Sequence, residues 1–351
     1  MLLLGEKDVR KALSLTDCLD INRQAYLSLA NGSSVVPSRL GLSYPDKTPS
    51  TSGESQDWTL VKPAAYYSDD NKNKNNNDPS SSTCMGLKVV SVRANNPSKG
   101  LPLVPATILL LEPETGVVQA TLSGTYLTVA RTSTGPALAV QTFAPHCQEL
   151  VLFGAGAQAE CHIQLMEAAL GRSIPKITIV NRSLPRAEAL LKTLDPLTHD
   201  QKECQVLLLD DHEQIAQALS TADVVATTTN AATPLWNDGS ILKQNCLITS
   251  IGSYTPDMQE IPQSAVDRSH VVIDTPDAMT VGDLKHLGGS IDATTHPVTL
   301  MGHALKDPSL VSGMDCIFYK AVGTAIQDVM TARLVVDRAR AQGIGQEIDM
   351  S

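Results

Sequence analysis

The chain has 351 residues, of which 42% are hydrophobic and 18% charged, so it is long enough for two domains and has the composition of a soluble globular protein. A net charge of −10 and only 3% aromatic residues argue against nucleic acid or an anionic membrane as the main partner. Seven scattered cysteines without a C-x-x-C pair favour a reducing compartment and argue against a disulfide framework or a zinc site. No apolar run approaches the length of a membrane span. We therefore expect a cytoplasmic protein that binds no metal.

The first part of the chain predicts an antiparallel sheet. A short strand and a helix from about Thr16 occupy residues 1–36, and Arg39 lies just beyond a proline in extended chain. Strands are predicted at 86–92, 106–111 and 117–122, and several adjacent strands of this kind form an antiparallel sheet. Residues 68–83 form a polar, Asn-rich run without periodicity, which predicts a mobile surface insertion.

Lys88 and Arg131 are the first candidates for chemistry. Lys88 shares one face of its predicted strand with Val90 and Val92, so its ammonium emerges among β-branched side chains, where desolvation lowers the pKa of a lysine. Arg131 lies near the start of a helix predicted from about 128 to 143, capped by Thr132 or Ser133, and a helix N-terminus is a good place to hold an anion. By spacing alone, Arg39 is more often a surface charge, and a mostly exposed lysine is likewise the default for Lys88.

A glycine-rich turn at residues 154–159 organises the rest of the chain. The apolar run 149–153 ends in G-x-G-x-x-A, and a helical pattern follows at once, which is the strand–turn–helix fingerprint of a dinucleotide-binding unit. Gly154 makes the tight turn, Gly156 leaves room for the pyrophosphate, and Ala159 allows close packing of the helix on the strand. The free N–H groups of the helix then face the phosphates.

Strands and helices alternate after this turn, which predicts a doubly wound parallel sheet of Rossmann type. Its ligand belongs at the carboxyl ends of the strands. The residues predicted at those ends are Thr228, Thr229, Asn230, Ser250, Gly252 and Ser253.

The end of the second predicted strand favours NADPH over NADH, although NADH remains possible. An NAD site usually carries Asp or Glu there, whereas this chain has Asn181, Arg182 and Ser183. A guanidinium and a hydroxyl attract the 2′-phosphate of NADP, which a carboxylate repels. The alternative is that Arg182 is an ordinary solvated loop charge.

With these residues assembled, the chain resembles the ornithine cyclodeaminase/mu-crystallin family. The matching stretches, in order, are V-P-S-R-L, G-L-K-V-V-S, L-L-L-E-P-E-T-G, A-R-T-S-T-G-P-A-L-A, G-A-G-A-Q-A, I-V-N-R-S, T-T-T-N-A-A-T-P, I-G-S-Y-T-P-D-M-Q-E-I and F-Y-K-A-V-G-T-A-I-Q-D-V. The resemblance implies a substrate-binding and dimerisation domain at 1–125, an NADP-binding Rossmann domain at 126–313 and a C-terminal helix in 314–351 that returns to the first domain. It further implies a homodimer.

The resemblance also implies roles for individual residues. Arg39 and Arg131 would hold a substrate carboxylate with Lys88 beside them, although Arg131 could instead contact the cofactor. Lys88 would protonate the imine nitrogen or keep it protonated. Gln158 and the strand-end residues would line the cofactor. Ala157 and Thr132 complete the candidate cofactor residues, and Tyr254 and Ala321 complete the candidate substrate residues.

One departure from the family bears on the activity. True ornithine cyclodeaminases carry an Asp two residues after the glycine of a G-G-D-C-P segment, and here Tyr254 occupies that place after Gly252. With the NADPH-like end of the second strand, this points to the ketimine reductase side of the family, and so to an NAD(P)H-dependent reductase of cyclic imino acids such as pyrroline- or piperideine-2-carboxylate. The alternatives are ornithine cyclisation, an alanine-dehydrogenase-like activity and a non-catalytic NADPH-binding protein.

Overall fold

The computed structural model describes residues 1–43, 57–67, 83–194 and 202–349. The insertion predicted at 68–83 lies outside these residues except for Thr83. The chain divides into two compact units, Met1–Arg131 with Thr324–Ser351, and Thr132–Gly323. Among the described residues, no helix combines the length and the apolar character that a membrane span requires.

The described part of the first unit contains a mixed sheet. Its strands are β1 (Leu2–Leu4), β2 (Ser34–Val35), β3 (Leu40–Ser43), β4 (Trp58–Tyr66), β5 (Cys84–Val92), β6 (Ala106–Leu111), β7 (Val118–Ser123) and β16 (Gln346–Glu347). They follow the order β16-β1-β7-β6-β5-β4-β2, and β3 also pairs with β4. The central pairs are antiparallel, as predicted. The N-terminal strand departs from that prediction, because β1 runs parallel to β7.

Helices cover one face of this sheet. They are α1 (Glu6–Ala12), α2 (Leu15–Asn31) and α9 (Ala325–Ala341), and α9 packs against α2, β4 and β5. The period-2 alternation of β5 buries Gly86, Lys88 and Val90 while leaving Val89 exposed, which confirms the predicted face of Lys88.

The second unit is built on a sheet in which every described pair of strands is parallel. Its strands are β8 (Glu149–Phe153), β9 (Lys176–Asn181), β10 (Glu203–Leu208), β11 (Val224–Thr227), β12 (Leu247–Ser250), β13 (Ser269–Ile273), β14 (Val298–Leu300) and β15 (Cys316–Lys320). Their order is β10-β9-β8-β11-β12-β15-β13-β14. The winding direction reverses between β8 and β11, where such a sheet binds its ligand. The predicted doubly wound fold is confirmed.

Helices connect the strands of this unit. They are α4 (Ala157–Leu170), α5 (Leu184–Leu194), α6 (His212–Thr221), α7 (Gln263–Asp267) and α8 (Met301–Lys306). The inner strands β11, β12 and β13 are buried at every position, as expected when both faces of a parallel sheet are covered, whereas the edge strands β10 and β14 are only partly buried.

Two predicted boundaries were wrong. Helix α3 spans Thr125–Phe143, since the amide of Thr128 already bonds to the carbonyl of Gly124 at 2.8 Å. Arg131 therefore lies inside the helix, and neither Thr132 nor Ser133 caps it. Residues 314–323 belong to the second unit and not to a C-terminal segment, because β15 pairs with β12 and β13.

Candidate active site

A buried carboxylate holds two buried cations together in the first unit. Asp328, in the first turn of α9, accepts hydrogen bonds on Oδ1 from Lys88 Nζ and from Arg131 Nε, both at 2.7 Å. All three side chains are buried, with Asp328 at 0% exposure and Lys88 at 1%. Strand β5, helix α3 and helix α9 each supply one member. The structure thus brings together two of the three predicted catalytic residues through a third that the sequence analysis missed.

Further contacts fix both cations. Lys88 Nζ also donates to Thr128 Oγ1 at 3.3 Å. The Arg131 guanidinium donates through Nη1 to Gln327 Oε1 at 3.5 Å, and Gln327 Nε2 returns a bond of 3.2 Å to the carbonyl of Arg131. Within the described contacts, Lys88 uses two of its three ammonium hydrogens, so the third can serve a ligand.

Lys62 adds a further cation that sequence reasoning missed. It lies directly opposite Lys88 in the antiparallel pair of β4 and β5, and it is buried at 5% exposure. Side chains of directly opposed residues share a face of the sheet, and like charges in that position destabilise it. The two buried lysines therefore concentrate positive charge on one face of the sheet, and positive charge attracts anions.

The charges determine how readily the protons in this cluster move. Burial, Arg131 and Lys62 hold the pKa of Lys88 well below that of an ordinary lysine, while Asp328 opposes this shift. Burial acts to raise the pKa of Asp328, yet Arg131, Lys88 and Lys62 together hold it below its usual value, so this side chain is a carboxylate. A proton on Lys88 is therefore released more easily than a proton on an exposed lysine.

Arg39 is the third of the predicted catalytic residues. It is half-buried in the segment between β2 and β3, and no described contact brings it to Lys88 or Arg131.

The glycine-rich turn of the second unit lies where the winding of the sheet reverses. Gly154 follows β8 with φ at +112°, and a Cβ there would come within 2.5 Å of Thr228 Oγ1, at the end of β11. Only glycine fits this turn. A Cβ at Gly156 would meet nothing within 4 Å, so the N-terminus of α4 has open space beside it. Open space next to free helix N–H groups fits a pyrophosphate.

The predicted cofactor-specificity residues end β9 beside this turn. Asn181 Nδ2 donates to the carbonyl of Ser183 at 2.9 Å, so its side chain shapes the loop before α5. Arg182 is exposed between them. The loop therefore presents a guanidinium, and it has no carboxylate at the position that binds a ribose hydroxyl in NAD sites.

Gln158 belongs to a small polar cluster inside the second unit. Ser133 Oγ lies 3.2 Å from Gln158 Oε1 and 2.8 Å from His162 Nδ1, and His162 Nδ1 is 2.7 Å from the carbonyl of Gln158. Burial lowers the pKa of His162 to about 4, so the ring is neutral near pH 7. His162 itself is buried.

A buried ionic network ties the strand ends together, and the sequence analysis missed it. Glu260 accepts five hydrogen bonds of 2.7–2.9 Å, which come from Thr227 Oγ1, Ser250 Oγ, the amide and hydroxyl of Thr229, and the amide of Gly252. Asp283 accepts from Lys320 Nζ at 2.9 Å, and its Oδ2 lies 3.0 Å from Ser250 Oγ. Ser250 and Gly252, expected at the cofactor, thus also hold the strand ends in place.

The other candidates lie in loops of the second unit, at the start of α4, or in the part of α3 that belongs to the second unit. Ser253 is buried, and its hydroxyl donates to the carbonyl of Met258 at 2.8 Å. Tyr254 is half-buried, and burial raises its pKa. The remaining candidates are Thr132 (half-buried), Ala157 and Asn230 (both exposed) and Ala321 (buried).

Comparison with known proteins agrees with this architecture. The chain is 30% identical to an uncharacterized cyclodeaminase of Dictyostelium discoideum, over the full length of both proteins. It is 28% identical to a Delta(1)-pyrroline-2-carboxylate reductase of Bacillus cereus, over 76% of this chain and 80% of that protein.

A solved structure has the same fold. It is Thermococcus litoralis Delta(1)-pyrroline-2-carboxylate reductase in complex with NADH and L-proline, with a TM-score of 0.80, 23% identity, and coverage of 99% of this chain and 100% of that chain. The family model for the ornithine cyclodeaminase/mu-crystallin family matches residues 66–343. The chain therefore belongs to the ornithine cyclodeaminase/mu-crystallin family.

Proposed function

We propose that this protein is an NAD(P)H-dependent reductase of imino acids, with cyclic ketimines such as pyrroline- or piperideine-2-carboxylate as substrates and cyclic amino acids as products. The cluster of Lys88, Arg131 and Asp328 is the observation that carries the proposal. It combines a buried lysine, whose pKa is lowered, with a buried guanidinium. Reduction of an imino acid needs both, because the substrate has a carboxylate to hold and a basic nitrogen to protonate.

Support also comes from the relatives. The Bacillus cereus relative is a reductase of pyrroline-2-carboxylate, which is a cyclic imino acid. The storage or binding role of a non-catalytic protein requires no buried lysine with a depressed pKa.

The second unit has the features that a dinucleotide needs. Gly154 permits the turn, Gly156 leaves space for the pyrophosphate at the start of α4, and the 2′-phosphate of NADPH would meet Arg182. The candidates to line the remainder of the cofactor are Thr132, Ala157, Gln158, Asn181, Ser183, Thr228, Thr229, Asn230, Ser250, Gly252 and Ser253. When bound, the reduced nicotinamide supplies a hydride.

The residues of this chain would bind the substrate and move its proton. Arg131, held by Asp328 and Gln327, presents a fixed guanidinium to the substrate carboxylate, and Arg39 is proposed as its second clamp. The third hydrogen of the Lys88 ammonium goes to the imine nitrogen. Since burial lowers the pKa of Lys88, this transfer is easier than it would be from an exposed lysine. Tyr254 and Ala321 are proposed to line the substrate.

We also propose a homodimer that forms through the first unit. Strands β2 and β3, which both pair with β4 at one edge of this sheet, carry exposed apolar side chains. The exposed fractions are 50% for Val35, 60% for Leu40 and 52% for Leu42. Apolar side chains grouped at a sheet edge mark a surface that a partner covers.

The test is a panel of substrates with the purified protein. NADPH and NADH oxidation would be followed with pyrroline-2-carboxylate, piperideine-2-carboxylate and pyruvate plus ammonia, and proline formation from ornithine would be measured in parallel. We expect the cyclic imines to be turned over fastest. Ornithine should be poor, because Tyr254 stands where the cyclodeaminases carry an acid. Faster turnover of pyruvate or ornithine would refute the proposal, and so would NADPH binding without turnover of any imine.

A further inference from the structure

One oxygen of the buried carboxylate lacks a hydrogen-bond donor. Asp328 Oδ1 receives both Lys88 Nζ and Arg131 Nε, whereas Asp328 Oδ2 is buried and has no hydrogen-bond partner among the described residues. A buried carboxylate oxygen without a donor costs more free energy than a neutral group left in the same state. The arrangement is therefore incomplete until a donor reaches Oδ2.

The two cations do not fill this gap, because both are directed at the other oxygen. Lys88 is anchored by Thr128 as well as Asp328, and Arg131 is anchored by Gln327. The anionic oxygen, the ammonium and the guanidinium thus form one buried group in which anion-binding donors stand beside an unused acceptor. A ligand that matches it carries a carboxylate and, close by, an N–H.

We propose that Asp328 Oδ2 accepts a hydrogen bond from the substrate nitrogen, so that Asp328 selects ligands with an N–H next to a carboxylate. This inference rests on the proposed function, since the natural ligand is then the protonated imine. The proton on the nitrogen comes from Lys88, and after the transfer the same N–H donates to Asp328 Oδ2 rather than to the Lys88 nitrogen. When bound, the reduced nicotinamide would supply the hydride for the new C–H bond; the electron pair of the C=N double bond would then move to nitrogen, and the N–H bond would be kept.

Asp328 acts on binding and on the protonation of the imine. Hydride transfer removes the positive charge from the nitrogen, so the carboxylate stabilises the bound iminium more than the transition state. The contribution of Asp328 should therefore appear as tighter binding of ligands that have an N–H next to a carboxylate. This difference in affinity can be measured without turnover.

Two planar ligands of nearly the same shape test this directly. Pyrrole-2-carboxylate has a ring N–H, and furan-2-carboxylate has an oxygen in its place. With the full-length protein in the presence of NADP⁺, isothermal titration should show that the pyrrole binds on the order of tenfold more tightly or better, the usual scale for a hydrogen bond to a charged group. Equal affinities in the unmodified protein would overturn the proposal, whatever any variant does.

Asp328→Asn should abolish or reverse this preference. The amide oxygen is needed to accept from Lys88 and Arg131, so the amide nitrogen takes the place of Oδ2 and offers only donors. Lys62→Met is the matched control. Removing this cation should weaken the binding of pyrrole-2-carboxylate and furan-2-carboxylate alike, so the ratio of their affinities should stay unchanged. A folded Asp328→Asn protein that still prefers the pyrrole would refute the assignment.

A spectroscopic measurement covers the case in which Asp328→Asn does not fold. The N–H proton of ¹⁵N-labelled pyrrole-2-carboxylate should move downfield on binding to the unmodified protein, because its acceptor is a carboxylate. A bound resonance at the position of the free ligand would refute the contact. If the preference and the downfield shift are present while no imine is reduced, the proposed function fails and the Asp328 contact stands.

Discussion

Lys88→Met removes the proposed proton donor while keeping most of the volume of the side chain. In the structure, Lys88 Nζ contributes bonds to Asp328 and Thr128, but Asp328 Oδ1 keeps its 2.7 Å bond to Arg131 Nε when the lysine is gone. The carboxylate therefore keeps a buried partner, and we expect the variant to fold.

The expected loss is in kcat. A positioned general acid contributes about a hundredfold or more, which corresponds to about 2.7 kcal/mol of transition-state free energy. KM should change less, since Arg131 remains to hold the substrate carboxylate. Steady-state oxidation of NADPH with a cyclic imine gives both constants, and NADPH titration checks that cofactor binding is intact.

Lys62→Met is the matched control, because the same substitution is made at the buried position directly opposite on the neighbouring strand. This variant keeps Lys88, so its kcat should stay within a fewfold of the unmodified enzyme. Because the Lys62 charge helps to lower the pKa of Lys88, its removal should raise that pKa and move the alkaline decline in kcat to higher pH. Near-normal kcat in Lys88→Met, with NADPH still bound, would refute the role of Lys88 as proton donor.

Three further predictions concern the second unit. Arg182→Asp should reverse a preference for NADPH over NADH, measured as the two dissociation constants; equal constants in the unmodified protein would contradict the reasoning. His162 has a pKa of about 4 against 6.5 for a free histidine, so the unfolded chain binds more protons between these values and stability falls as the pH drops from 6.5 towards 4. This histidine contributes up to about 3 kcal/mol to that loss of stability. His162→Asn should therefore reduce the dependence of the free energy of unfolding, measured with urea, on pH between 4 and 6.5. Glu260→Gln should destabilise the protein by about 3 kcal/mol, the scale of a hydrogen bond to a buried charged group, and weaken NADPH binding, because the carboxylate receives the amides of Thr229 and Gly252. An unchanged free energy of unfolding and unchanged NADPH binding would show that the network is dispensable.

Local patterns in the sequence were enough to find the nucleotide turn and the buried lysine. A tight turn before a helix needs Gly154 whatever surrounds it, since its φ of +112° excludes side chains, and the fingerprint therefore appears in consecutive residues. The alternation of β5 likewise determines that Lys88 shares a face with Val90, because successive side chains of a strand point to opposite faces. Helix α3 was placed too late, because the prediction began it at Thr128 and the structure begins it at Thr125.

What only the tertiary structure decided are the partners of these residues. Asp328 lies 240 positions from Lys88 and, in sequence, is an ordinary acidic residue in the first turn of a helix, where a carboxylate complements the helix dipole. Lys62 meets Lys88 through the register of two strands, and no local pattern in either strand specifies that register. The sequence lists the ionisable groups of the chain. The charge and the pKa of a buried group, however, depend on the neighbours that folding brings to it. Those neighbours come from strands and helices that are far apart in the chain.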